Sequence, residues 1–351
     1  MGFRIIAVPV YSRRHYGVRN PNFIKKRVVS MEHLTTQGLT RRRKHFDGIR
    51  TWPYLFILPF FAIYLAFGIF PIIYSLVISF TSWNGFGKAT FIGLQNYVTI
   101  FTKDPYFFKS IGNTLIFMAI DTPILIVGGI ILAAVFNSKL LKYRDAFRLA
   151  VFSPYLTIPV AIGILFGLLF DWNSGIINKL LIATGIIDQG INWLGIPALA
   201  RGVICLMIIW KYLGYHMIFF NAAIVAIPNE LYEAAEVDGA TVFQKFIKIT
   251  VPMLKPIAEF LIIMNIIWGF QLFDEPMVLF SGWISGGAAR AVGGPGRSAL
   301  TAVWNLYDTT FGTQMQYGKG AAIAYGIFLF IVAFTIIGYR VIKGQGKEEN
   351  Y

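Results

Sequence analysis

Charged side chains are scarce in this 351-residue sequence. They make up 14% of it, where a soluble domain carries about a quarter. With 56% hydrophobic residues and a mean hydropathy of +0.62, the composition excludes a water-soluble globular domain. The short alternating segments of a transmembrane barrel are also missing; the apolar runs are long and continuous. Cysteine occurs once, at Cys205, which excludes a disulfide within the chain and reads as a small buried hydrophobe. No second His or Cys stands near His216, so a local metal site has no ligand set. The phosphate-cradling pattern G-x-x-x-x-G-K-[ST] is absent. Its nearest approximation, Gly312 to Lys319, has one residue too many and is followed by Gly320, not by Ser or Thr. A G-x-S-x-G nucleophile turn is lacking too, which argues against an intramembrane hydrolase.

What is abundant is apolar length. Crossing the hydrocarbon core takes about 20 apolar residues in a helix. Six segments reach it, near 54–80, 112–136, 149–170, 202–226, 257–280 and 321–342. Pro59, Pro71, Pro123 and Pro159 fall inside them, which membrane helices tolerate better than soluble ones. The expected fold class is an all-α polytopic membrane protein with six transmembrane helices. Aromatics at 16% fit Trp and Tyr lining the two interfaces.

The formal charge of +14 comes largely from the first fifty residues, which hold twelve Lys and Arg. The tail, the loops at 137–148 and 227–256 and the segment from Arg340 together carry twenty-two. The alternate loops carry eight, counting Arg201 and Lys319 at their margins. This asymmetry puts both termini on the cytoplasmic side. The run Arg41-Arg42-Arg43-Lys44 reads as an anionic-lipid contact or orientation signal, with no nucleic-acid module around it. Met31 is a candidate start, since it keeps that run ahead of the first span. The expected organisation is a basic cytoplasmic tail at 1–50, a six-span domain at 51–345 and a short cytoplasmic tail at 346–351.

One cytoplasmic loop, 228–256, breaks the basic trend. Glu230, Glu233, Glu236 and Asp238 place four carboxylates in nine residues. Pro228 suits the first turn of a helix, and Glu230 there faces the positive end of the dipole. Asp238-Gly239 signals a turn, with Gly239 free to take the left-handed conformation that ends a helix. Phe243, Phe246, Ile247 and Ile249 then recur at helical spacing before Pro252 and Pro256. The loop therefore reads as helix, tight turn, helix. An amphipathic pair at the headgroup layer normally carries Lys and Arg on its polar face. The first helix has neither, so a basic protein partner explains its charge better than lipid does.

These residues resemble a known family. Glu233-Ala234-Ala235, Asp238-Gly239-Ala240, then Phe246, Ile249, Pro252 and Pro256 look like the EAA motif of ABC-importer permeases, with Val251 where leucine is usual. Gly293-Gly294-Pro295, Tyr317-Gly318 and Ala321-Ala322 are similar to features of the carbohydrate-uptake branch, the maltose and glycerol-phosphate permeases, although their order is altered. Residues 281–292 look like a Gly-rich insertion. The resemblance covers about residues 50–345. It implies a type I ABC importer permease fold in a bacterial or archaeal cytoplasmic membrane. The acidic loop would be a coupling helix docked on a separate ATPase subunit dimer. Glu233 would meet a basic residue there, Ala234, Ala235 and Gly239 would pack closely, and Asp238 would stand at the turn. It further implies no cofactor in this chain, with ATP and Mg on the ATPase. A second permease subunit and an extracytoplasmic solute-binding protein would complete the system. The chain itself would be a transport subunit and not an enzyme.

Polar groups inside spans are costly and mark function by default. Asp121 lies in the second span, Lys211 and His216 in the fourth, and Asn265, Trp268 and Gln271 in the fifth. Sugars combine hydroxyls with apolar C–H faces, so amides and aromatics suit them. Tyr212, Gly214, Tyr215, Asn265, Trp268 and Gln271 are the expected substrate contacts; resemblance to the maltose-type permeases points to the same two spans. Interhelical packing is the competing reading for each. Asp121 and Lys211 read as an ion pair or a water-lined structural site, and Glu259 as a group near the inner interface. Two alternatives stay open: an importer for a non-sugar solute, and a secondary transporter coupled to protons through Asp121, which inverted repeats would support.

Overall fold

The computed structural model describes residues 52–138, 142–280, 292–312 and 315–345. The basic tail with Arg41–Lys44 and Met31, most of the Gly-rich 281–292 stretch and the 346–351 tail lie outside these residues. The chain falls into two units, residues 1–71 and 72–351.

In the first unit, α1 (Trp52–Tyr64) passes through a wider π turn at Leu65–Ile69. α2 (Phe70–Ser79) carries the first span to its end and belongs to the second unit from Ile72 onward. The second unit adds a two-residue hairpin, β1 (Thr81–Ser82) against β2 (Thr90–Phe91), antiparallel with Thr81 opposite Phe91. It continues with α3 (Gln95–Thr102), α4 (Phe107–Asn137), α5 (Arg144–Leu156), α6 (Pro159–Leu169), α7 (Ile176–Ala183) and α8 (Pro197–Val225). The acidic loop holds α9 (Asn229–Val237), α10 (Val242–Lys245), a π turn at Phe246–Thr250 and α11 (Val251–Met253). Then come α12 (Lys255–Phe270), α13 (Asp274–Phe280), α14 (Ala302–Phe311) and α15 (Tyr317–Gln345).

Among the described residues, four continuous helical stretches are long and apolar enough to cross a membrane: Tyr54–Ser79, Phe107–Asn137, Pro197–Val225 and Tyr317–Arg340. Two bent pairs make six if each counts as one span: α5 with α6, bent by 98°, and α12 with α13, bent by 40°. The six expected spans are all present, but the third and fifth are not the straight helices the sequence suggests. Pro159 disfavours helical geometry at the residue before it, and Ile158 is extended at ψ 139° with Thr157 at ψ 138°. Pro276 would clash with a carbonyl four residues earlier in an unbroken helix. The break at 271–273 instead leaves it in the first turn of α13, where its missing N–H needs no partner. The second, fourth and sixth spans begin earlier than expected, at Phe107, Pro197 and Tyr317, because Ser110, Arg201 and Lys319 continue the helix beyond the apolar run.

α8 is the central helix of the second unit, with 56% of its most apolar stretch buried, against 22% for α4 and 28% for α15. Helices in lipid gain little from hydrophobic exclusion and pack through small residues. A Cβ at Gly129 would press on His216 and Phe220, and one at Gly128 on Leu213. Gly214 faces the other way: a Cβ there would collide with the Val151 carbonyl oxygen of α5. Three apolar clusters surround this axis. One joins Phe166, Ile204, Met207, Leu279 and Phe280; a second joins Phe107, Ile111, Phe270 and Ile323; a third joins Ala133, Met217, Phe220, Leu254 and Leu261.

At the end of the fold away from the acidic loop, the Gly293-Gly294-Pro295 turn is fixed by polar side chains. Gly293 and Gly294 take φ of 82° and 65°. Asn113 Nδ2 donates to the carbonyls of Arg297 and Leu300 at 2.9 and 3.0 Å. Arg201 Nη2 donates to Asn113 Oδ1 at 2.9 Å. Nearby, Lys319 Nζ lies 2.6 Å from Asp104 Oδ2. Burial works against the Asp104 carboxylate. The Lys319 hydrogen bond and charge and the backbone N–H groups of Tyr106 and Phe107 outweigh it, and hold its pKa below the ordinary value.

Candidate functional site

Both helix breaks open onto one cavity of about 620 Å³. Tyr155 through Pro159 border it from the first break, and Gln271 through Glu275 from the second. α4 contributes Phe117, Asp121 and Thr122, and α8 contributes Ile208, Lys211 and Tyr212. Irregular backbone at membrane depth persists where it lines a cavity, because its freed peptide groups can be solvated there.

The charged groups of the wall are ordered by pairing. Lys211 Nζ donates to Glu275 Oε1 at 2.6 Å, with both side chains almost fully buried. Tyr212 Oη donates to the same oxygen at 3.1 Å, and the Lys211 ammonium lies 5.0 Å from the Tyr212 ring centroid. A buried pair offsets its desolvation only when further hydrogen bonds support it, and here Tyr212 supplies one. Asp121 is buried, close to the Cys205 side chain. Its Oδ1 has no hydrogen-bond partner among the described residues.

A second polar group sits one side-chain layer away. His216 Nδ1 is 2.9 Å from the Tyr212 carbonyl and Nε2 is 3.1 Å from the Asn265 side-chain amide. A carbonyl only accepts, so Nδ1 carries the proton; a neutral ring then accepts at Nε2, and the amide turns its NH₂ toward it. In either amide orientation, one hydrogen-bonding atom of Asn265 stays unused within the described structure. The aromatic side chains form a cluster: Tyr155 and Tyr215 have ring centroids 4.8 Å apart, Tyr155 and Tyr212 5.9 Å, and Tyr215 and Trp268 5.4 Å.

Of the six expected substrate contacts, Tyr212, Asn265, Trp268 and Gln271 border the cavity. Gly214 and Tyr215 do not. Gly214 lets α5 approach α8, and Tyr215 stacks behind Tyr155 and Trp268. Asp121 and Lys211 both border the cavity, but the ion-pair partner of Lys211 is Glu275. Cys205 is buried as expected. Glu275, Asp274 and Tyr155 escaped the sequence reading. The signal for the first two was present: two adjacent carboxylates inside the expected fifth span. Among the described residues, no group of three or more His, Cys, Asp and Glu is placed to hold a metal ion.

The acidic loop is the second candidate surface, and its helix-turn-helix form is as expected. α9 ends in a left-handed Gly239 at φ 74°. Ala240 N–H reaches the Ala235 carbonyl at 2.9 Å and Gly239 N–H the Glu236 carbonyl at 3.0 Å, the hydrogen-bond pair of a glycine C-cap. Thr241 and Gln244 form a reciprocal capping box that starts α10. Tyr232 Oη and Thr250 Oγ1, 2.9 Å apart, tie α9 to the π turn, and Lys245 Nζ donates to Glu236 at 2.6 Å. Glu233, Ala234, Asp238 and Gly239 are exposed and Ala235 is half-buried. Val237, Val242 and Phe243 are also exposed, at 89%, 80% and 71%.

Comparison with known proteins gives this geometry a context. Residues 125–344 match the family model described as binding-protein-dependent transport system inner membrane component. The chain is 34% identical to the lactose transport system permease protein LacF of Rhizobium radiobacter, over 88% of this chain and 99% of that protein. It is 33% identical to the arabinooligosaccharides transport system permease protein AraP of Bacillus subtilis, over 87% and 93%. It is 30% identical to the sn-glycerol-3-phosphate transport system permease protein UgpA of Yersinia pestis, over 85% and 96%. Its fold is similar to chains of two solved structures. One is of a bacterial ABC transporter involved in the import of the acidic polysaccharide alginate, with TM-score 0.67, 24% identity and coverage of 85% and 97%. The other is of the alginate transporter in complex with an alginate pentasaccharide-bound periplasmic protein, with TM-score 0.70, 23% identity and coverage of 85% and 96%.

Proposed function

The chain belongs to the family of inner-membrane components of binding-protein-dependent transport systems, and from that premise we propose that it forms half of the pore of an ATP-driven sugar or oligosaccharide importer. The observation that carries the sugar reading is the cavity wall, where Tyr155, Tyr212 and Trp268 stand beside the amides of Asn265 and Gln271. Aromatic faces take apolar C–H surfaces, and amides take hydroxyls. The relatives named for lactose and arabinooligosaccharides support the same class.

In this reading both termini are cytoplasmic and α9 docks in a groove of a separate ATPase, one copy of a dimer. A second permease completes the pore, and a solute-binding protein delivers the sugar to the outer loops. ATP and Mg belong to the ATPase. Exposed Glu233 meets a basic residue of the groove, and the small residues Ala234, Ala235 and Gly239 admit close approach. Asp238 caps the turn. Movement of α9 has a path to the cavity. The Tyr232–Thr250 contact joins it to the π turn, which continues through α11 and fully buried Leu254 into α12, the helix that carries Asn265 and Trp268.

The test is uptake by vesicles that contain the full transporter and its solute-binding protein. Glu233→Lys places like charges in the groove, which costs several kcal/mol at an interface. ATP-dependent uptake and ATPase recruitment should collapse while the permease stays folded. Unchanged uptake would overturn the coupling role of the loop.

A further inference from the structure

Four side chains bordering the cavity carry formal charge: Asp121, Lys211, Asp274 and Glu275. The one lysine among them is held by Glu275 at 2.6 Å, with both groups almost fully buried. No other Lys, Arg or His borders the cavity among the described residues. Asp121 and Asp274 remain, and neither has a cation within ion-pair distance among the described residues. Asp274 is exposed, at the start of α13 just past the helix break. Asp121 and Asn265 are over nine-tenths buried, and each keeps one hydrogen-bonding atom without a partner.

From this arrangement we infer that the half of the pathway lined by this chain selects uncharged glycans and rejects acidic ones. The inference rests on the sugar reading above and adds the charge class of the substrate. A carboxylate oxygen only accepts hydrogen bonds. A sugar hydroxyl can donate to Asp121 and to the Asn265 side-chain oxygen, which the His216 contact leaves free. A uronate or phosphate oxygen only accepts and can do neither. It would also enter beside the exposed Asp274 carboxylate with Lys211 already engaged, so specificity arises from a repulsive element as much as from an attractive one. The fold alone leaves this open, since the similar solved transporters import an acidic polysaccharide and a shared fold does not fix the site.

The experiment is equilibrium binding to the intact transporter in lipid nanodiscs, without the solute-binding protein, so that only the transmembrane pathway discriminates. Two matched pairs serve as probes: lactose with lactose 6-phosphate, and arabinotriose with trigalacturonate. The neutral member of each pair should bind roughly tenfold or more tightly, the effect of one like charge several ångströms away at intermediate dielectric. Asp274→Asn, at an exposed position, and Asp121→Asn, which is nearly isosteric, should each shrink that ratio by about threefold or more. Acidic members that bind as tightly as neutral ones overturn the inference, as does a ratio unmoved in both variants. Binding of neither member in either pair overturns the sugar reading and the charge rule together.

Discussion

The acidic loop holds four carboxylates within nine residues, and the cavity holds three with one lysine, yet the two regions treat charge in opposite ways. At the cavity, the Lys211–Glu275 pair is buried and its geometry is tightly specified: Glu275 takes both Lys211 and Tyr212 on a single oxygen. In the loop, Glu233 and Asp238 are exposed and cost the fold almost nothing. A buried ion pair is satisfied within the chain, so it reports on internal architecture. Exposed like charge is tolerated without internal partners, so it reports on what the surface meets.

The largest effect should come from splitting the buried pair. Lys211→Met leaves Glu275 unpaired and should destabilise the second unit by about 3–5 kcal/mol. Lys211→Met combined with Glu275→Met should recover most of that loss, as read by thermal unfolding in detergent. A single variant as stable as the parent would break the contrast. Next in size, Gly214→Val should cost roughly 1–3 kcal/mol through overpacking against the α5 backbone and should disturb Tyr155; the same measurement checks it. Gly239→Ala forces a side chain into the left-handed region, at a cost of about 1 kcal/mol. Glu233→Lys should leave unfolding within about 0.5 kcal/mol of the parent while abolishing coupled uptake. That separation of stability from activity is the sharpest statement of how the two regions differ.

The smallest effect concerns pH. Asp104 lies outside the membrane-spanning segments, with its pKa held below the ordinary carboxylate value. A depressed carboxylate contributes stability above its unfolded pKa, near about 4, and loses it as pH falls through the folded value. Asp104→Asn should therefore flatten the acid limb of the unfolding profile below about pH 4 and change little at pH 7 beyond the loss of the Lys319 contact. An unchanged acid limb would remove Asp104 from the account.

The sequence was most informative where structure is local. The six apolar runs follow from the thickness of the bilayer. The loop follows from Gly239, Thr241 and Gln244, whose roles are set by neighbours within a few residues. It was less informative where a side chain's role depends on what packs opposite. Gly214 and Tyr215 sit beside Tyr212 in the chain, yet a helix turns each residue by about 100°. Gly214 consequently faces α5, and Tyr215 falls behind the cavity wall. Asp274 and Glu275 were legible as carboxylates in an apolar run and were passed over because the fifth span read as continuous. Pro276 hinted at the break, but whether proline kinks, ends or merely occupies a helix is decided by its surroundings.

Apolar length was enough to determine a six-span membrane chain, and the asymmetry of Lys and Arg sets the sidedness we propose for it. The spacing of Glu233, Ala234, Ala235 and Gly239 was enough to mark the helix-turn-helix loop that we propose as the coupling element, because helix starts, stops and exposed charge are written in adjacent residues. Only the tertiary structure decided that both helix breaks meet at one cavity, that Lys211 belongs to Glu275, and that Asp121 and Asn265 keep unpaired atoms in that wall. Those relations join residues 64 to 144 positions apart, and the energy that selects them comes from burial and pairing between helices, which no local pattern encodes.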